Sequence, residues 1–259
     1  MDIKIDPQWI YLFFLYYFRI LFFLIPQTMF SFGVLPNLVL AHLLFALTWV
    51  YIYIVPPPSD VVIPKNEWHL LLLILNESLV GFILGFFVRT IYTLFVIFGE
   101  LVNLHVGLAM ANLILPGEGM MGLFGNLFGI LGWLLFLAVG GLEVMFFGLK
   151  LSFEIIPVTK FDPSVLDYKM FFLLLVKIFY IATAMALPVI AVFLLVNLIL
   201  ALTNRLVPNV NIFFVGYPIY MLANFAVIAL LAPAFGWLSV RLIDKYLTTF
   251  IDFIKSFPH

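Results

Sequence analysis

Six runs of apolar residues, at 9–32, 38–55, 68–98, 123–149, 170–202 and 212–231, take up most of this sequence. A helix needs roughly 20 apolar residues to cross the hydrocarbon of a bilayer, and there it must satisfy its own backbone polar groups. Membrane strands would read as alternating segments of about ten residues, which these runs are not. Nor can a water-soluble globule hide them. The chain is 66% hydrophobic and 10% charged, against about 25% charged in an ordinary soluble domain. The reading is an all-α polytopic membrane protein with about six long hydrophobic helices. No soluble domain, low-complexity tract or internal repeat stands out.

A seventh run, 237–257, differs. Arg241, Asp244, Lys245, Thr248, Asp252 and Lys255 form one polar stripe at helical spacing, opposite an aromatic and aliphatic face. It reads as a C-terminal amphipathic helix. Two uses are open: an interfacial helix lying among headgroups, or a docking helix for a partner.

Composition removes several functions. With 12 Lys+Arg against 13 Asp+Glu there is no basic field for nucleic acid. With no Cys there is no disulfide, thiol catalysis or thiolate metal site. Asp2, Lys4 and Asp6 deny the N-terminus the positive region of a secretory signal, so residues 9–32 are expected to stay in the mature protein. HExxH, GxSxG and GxxxxGK[ST] are absent, and the four His have no metal-ligand spacing. A non-enzyme without metal or cofactor is expected.

Two runs are too long for a plain crossing. Runs 68–98 and 170–202 hold 31 and 33 residues, or about 47 and 50 Å of helix against about 30 Å of hydrocarbon. Tilt and a bend at Pro188 absorb part of the excess. The remainder calls for cover by other protein. The connectors are marked by Pro56–Pro58 and Pro64, by the polar stretch 152–169, and by the turn region 204–218. Six crossings would put Lys4, Lys65, Lys150, Lys160, Lys169, Arg241, Lys245 and Lys255 on one side and only Arg205 on the other, which predicts cytoplasmic termini.

Within the runs lie Arg19, Glu77, Arg89, Glu100, Glu143 and Lys177. Each would cost about 2.5–3.5 kcal/mol at a bilayer centre, so each is expected to face protein, water or another charge. A proton or ion relay is one reading of these buried charges; pairing between helices or subunits is the other. Glu77 and Arg89 lie about 18 Å apart along one helix and cannot meet. Gly81/Gly85 and Gly125/Gly129 form GxxxG, and Gly107/Ala111 is small-xxx-small, spacings that let helices approach closely. Glu100, Asn103, Gly107 and Ala111 share one stripe, with Gly99 and His105 beside it. The helix then breaks at Pro116-Gly117-Glu118-Gly119, and nine of the 16 Gly fall between 117 and 148. Met110, Met120 and Met121 flank the break. It is either an external loop or a constriction at membrane depth, where irregular backbone is tolerated only against protein or a cavity.

Two stretches carry a resemblance. GELVNLHVGLAMANLILP, residues 99–116, is similar to the GQLxGxQxGxxxAxxxDP signature of the FliR family, whose injectisome counterpart is called SctT. Residues 187–218, LPVIAVFLLVNLILALTNRLVPNVNIFFVGYP, resemble that family's LPVLxxLLLVNLxLGLLNRLAPQLNVFxxGFP block more closely. Arg19-Ile20 and Ser152-Phe153 with Pro157 also fall where the family has them. The Val-Asn-Leu and Asn-Arg spelling is nearer the flagellar branch. Departures are Leu115 in place of Asp, His105 in place of Gln and Glu100 in place of the commoner Gln.

The resemblance implies a flagellar type III export-gate subunit in the bacterial inner membrane, at the flagellar basal body. Its partners would be FliP-type and FliQ-type subunits, an FlhB-type switch protein, unfolded flagellar export substrates and membrane lipid. The chain would be one export-gate domain within a helical multi-subunit funnel, with residues 1–150 like FliP and 151–259 like the FliQ hairpin. Residues 109–122 would match the pore plug, with Met110, Asn112, Leu113, Ile114, Pro116, Gly117, Glu118, Gly119, Met120, Met121 and Gly122 forming its gasket. Asn204, Arg205, Pro208, Asn211, Gly216 and Pro218 would form a loop facing the switch protein. A secondary transporter built on broken helices is the alternative.

Overall fold

The structure, a computed structural model, describes residues 7–27, 36–58, 61–62, 64, 66–106, 122–163, 168–206 and 212–257. Among these the regular elements are helices and no strand occurs: α1 Pro7–Leu24, α2 Asn37–Ile54, α3 Glu67–Val106, α4 Leu123–Ala138, α5 Gly141–Ile155, α6 Tyr168–Leu206 and α7 Ile212–Lys255. Their ends follow local chemistry. α2 stops before Pro56-Pro57-Pro58, because a residue preceding proline avoids helical backbone. Between α4 and α5, Gly140 has φ +80°, the left-handed conformation in which a helix commonly terminates on glycine. Thus the run 123–149 is two helices.

Three helices are very long: α3 has 40 residues, α6 39 and α7 44, or about 60, 58 and 66 Å. The run at 237–257 is not a separate terminal helix. α7 continues through it despite Pro218 and Pro233, because Ile243, Tyr246, Leu247, Phe250, Phe253 and Ile254 become buried there. That burial outweighs the local loss of about 3 kcal/mol at an interior proline. Of the six expected crossings, four helices among the described residues have the length and apolarity to span: Asn37–Ile54, Glu67–Val106, Phe171–Leu206 and Pro218–Lys255. The bent α4–α5 pair would make a fifth, whereas Trp9–Leu24 is too short.

The chain forms two units. The first comprises residues up to Arg89, then Gly140–Tyr168 and the chain from Lys245 onward. Its core joins α1, the first part of α3, α5 and the end of α7. Gly81 and Gly85 set α3 directly against α1, where an added methyl would strike the carbonyl oxygens of Arg19 and Phe23. Gly148 of α5 receives the ring of Phe250, and Phe87 stacks on Phe253 with ring centres 5.4 Å apart. The apolar face of the last α7 turns is therefore taken by protein, which removes the reading of a helix lying in the headgroups.

The second unit comprises Thr90–Val139 and Lys169–Asp244. It contains two antiparallel helix pairs. α4 returns along the second part of α3, with Gly132 against Phe95, Gly129 against Tyr92 and Val96, and Gly99 against the Phe124 backbone. α7 returns along α6, where Gly216 faces Leu200 and Tyr220 Oη donates to Asn197 Oδ1.

Candidate functional site

In the second unit the candidate site is the base of the segment 107–121, which leaves α3 after Val106 and rejoins the described structure at Gly122. Glu100 Oε1 accepts the Gly122 backbone N–H at 2.7 Å. Gly122 is the N-cap of α4, so the carboxylate sits where the helix dipole favours negative charge and where an orphan N–H needs an acceptor. Close approach is what makes this bond possible. A Cβ at Gly122 would collide with the Asn103 side chain, and one at Gly125 with the Glu100 carboxylate. The predicted polar stripe of α3 thus has a partner, the glycine face of α4. Val106 and Gly122, the described residues on either side of 107–121, thus lie at the same end of α3.

Around that junction, Asn224 of α7 donates from Nδ2 to the His105 carbonyl at 3.0 Å, and the Phe193 ring of α6 stands edge-on to the His105 ring at 5.2 Å. His105 Nδ1 is 2.6 Å from the Leu101 carbonyl. Asn103 Oδ1 and Asn224 Oδ1 are buried with no hydrogen-bond partner among the described residues. Asn224 was not singled out in the sequence, although an amide inside an apolar run is a signal of the same kind as a buried charge. Met110, Asn112, Leu113, Ile114, Pro116, Gly117, Glu118, Gly119, Met120 and Met121 lie outside the described residues, as do Gly107 and Ala111.

The expected buried charges divide. In the first unit Arg19 and Glu77 are both fully buried and form an ion pair at 2.5 Å between α1 and α3. Arg19 Nη1 also donates to the Ser152 and Ile156 carbonyls at 3.1 and 2.9 Å, closing the C-terminal end of α5, and its guanidinium lies over the Phe153 ring. Glu77 Oε1 accepts the Thr159 N–H at 2.9 Å. Thr159 has φ +75°, a conformation that β-branched residues rarely adopt, and this bond helps to hold it. Nothing in the sequence marked Thr159. Arg89 is half-buried and donates to the Pro26 carbonyl at 2.6 Å.

Glu143 and Lys177 correct the expectation, because both are exposed on this chain. Glu143 lies in the first turn of α5, where its charge complements the helix dipole in place of a buried partner. Lys177 stands on the outward face of α6. Of the turn region, Asn204 and Arg205 are exposed in the last turn of α6, Gly216 is buried against Leu200, and Pro218 is exposed within α7. Pro208 and Asn211 lie outside the described residues. Among the described residues no group of three or more His, Asp or Glu has the arrangement of a metal site.

Comparison with known proteins adds to this geometry. The sequence model described as "Bacterial export proteins, family 1" matches residues 10–246. The flagellar biosynthetic protein FliR of Aquifex aeolicus is 31% identical over 99% of this chain and 99% of its own length. FliR of Bacillus subtilis is 30% identical over 66% of this chain and 65% of its own, and FliR of Escherichia coli 28% over 78% and 77%. With so much of its length matched, and with described residues that form helices, four of them long and apolar enough to cross a membrane, this chain belongs to the FliR family of bacterial export proteins.

Proposed function

We propose that this chain is a non-enzymatic subunit of the flagellar type III export gate. With FliP- and FliQ-type subunits it builds the channel through which unfolded flagellar proteins cross the inner membrane. Residues 1–150 take the FliP-like place and 151–259 the FliQ-like place, and the turn at 204–218 faces an FlhB-type switch protein. The segment 109–122 closes the channel at rest, with its Met and Leu side chains as a yielding seal.

One observation carries the multi-subunit part of this reading. α6 exposes apolar side chains from Phe172 to Leu202, with Lys177 among them, about 45 Å of helix. Hydrocarbon about 30 Å thick leaves some 15 Å of that face to be covered by something else. The Glu100–Gly122 bond supports the plug, since it fixes the base of the segment assigned to it. Deleting residues 110–121 from the assembled complex and measuring ion conductance tests the assignment. A leak with assembly intact is the expected result, and a tight membrane would sink it.

A further inference from the structure

The last four carbonyls of a helix have no partner within it. At the end of α3, the His105 carbonyl takes its donor from a helix 119 positions away: Asn224 Nδ2 of α7, at 3.0 Å. Tyr220 stands one turn before Asn224 on the same face of α7. It donates to Asn197 Oδ1 of α6 at 2.5 Å, and Asn197 Nδ2 donates to the Phe193 carbonyl at 3.0 Å. The Phe193 ring lies 5.2 Å from the Tyr220 ring and 5.2 Å from the His105 ring. The α6–α7 pair is thus fastened within itself by Tyr220 and Asn197, and to the end of α3 by Asn224.

Asn224 is fully buried, and its Oδ1 has no hydrogen-bond partner among the described residues. For stability alone this is a poor choice, because an aliphatic side chain would fill the place without burying a lone acceptor. A single buried amide in an apolar helix contact serves register instead. Apolar surfaces can slide past one another, whereas a hydrogen bond has direction.

We propose that Asn224 is a positioning residue of the closed channel. It fixes the register of α7 against the end of α3 from which residues 107–121 depart, and so holds the base of the segment assigned as plug. The inference rests on that assignment and adds a residue outside the segment that acts on it. Glu100 ties Gly122 to the same end of α3, so a displaced α3 end carries the start of α4 with it. When the His105 carbonyl loses its donor, the closed arrangement loses one bond and the channel is open for a larger share of the time.

The test uses the assembled complex in a lipid bilayer. Asn224→Leu keeps the bulk and removes the amide, and Asn224→Gln keeps a donor one methylene further out. Asn224→Leu is expected to assemble in the parent's yield and to raise ion conductance about two- to tenfold, the factor by which losing one neutral hydrogen bond shifts a two-state equilibrium. Asn224→Gln is expected to leak less. Tyr220→Phe, which deletes a single hydroxyl, is expected to leak in the same direction as Asn224→Leu. A tight membrane with Asn224→Leu or with Tyr220→Phe, equal leak from the Leu and Gln variants, or a leak that comes only with loss of subunits would each overturn the proposal. A second measurement reads position directly. The chain has no Cys, so cysteines at the exposed Leu104 of α3 and Leu222 of α7 take a spin-label pair in a complex whose partners carry none. Their distance distribution is expected to broaden or shift in Asn224→Leu, and an unchanged distribution refutes the register. Deletion of 110–121 separates the two readings. A tight membrane after the deletion sinks the plug assignment, whereas a leaking deletion beside a tight Asn224→Leu sinks this proposal alone.

Discussion

Replacing Arg19 by Met tests whether the buried ion pair organises the first unit. The guanidinium is fully buried and serves three groups at once: the Glu77 carboxylate and the carbonyls of Ser152 and Ile156. Arg19→Met leaves Glu77 as a buried anion supported, among these contacts, only by the Thr159 N–H. Removing one partner of such a pair costs about 3–5 kcal/mol, most of it the cost of the stranded charge. The double variant Arg19→Met/Glu77→Met removes both charges and strands none, so it should recover a large share of that loss. At about 2–4 °C per kcal/mol for a chain of this size, the single variant should melt about 6–20 °C lower than the parent, with the double variant in between. The assay is thermal unfolding of the purified assembly in detergent, with Glu77→Met completing the cycle. If the double variant falls as far as the sum of the two singles, the charges do not act on each other and the reasoning is wrong.

Three further outcomes follow from the same contacts. Gly85→Ala drives a methyl into the Phe23 carbonyl oxygen and should cost about 1–3 kcal/mol by overpacking; Gly236→Ala in α7 meets open space and should stabilise by up to about 1 kcal/mol, a contrast that melting temperatures will read. Glu100→Ala removes the acceptor of the Gly122 N–H, and hydrogen exchange at that amide should quicken about tenfold or more, since a bond to a charged group contributes about 1.5–3 kcal/mol; Glu100→Gln should retain most of the protection. Thr159→Gly relieves a left-handed β-branched residue and should raise stability by about 1 kcal/mol, reduced by the loss of the 3.3 Å bond from the Val62 N–H to the threonine hydroxyl; a lower melting temperature would count against strain at this position.

Membrane class, helical architecture and excess apolar length were legible in the sequence, because they depend on run length against bilayer thickness and need no knowledge of partners. The close approach at Gly81 and Gly85 was legible as a spacing, and the stripe of Glu100 and Asn103 as a periodicity. Hydropathy could not separate the α4–α5 break from a continuous helix, since apolar residues run on across it and the break rests on one left-handed glycine. It also placed a boundary before residue 237 that α7 does not have, because the reward for continuing comes from burial against Gly148 and Phe87, far away in the chain. A buried charge reveals its presence but not its partner. Arg19 meets Glu77 across 58 positions and Ser152 across 133, and only the folded chain brings such distances to nothing. For the same reason, run position alone could not separate Arg19 and Glu77, which face each other, from Glu143 and Lys177, which face outward. Depth in the sequence measures distance along a helix, whereas burial depends on which side of that helix the rest of the protein occupies.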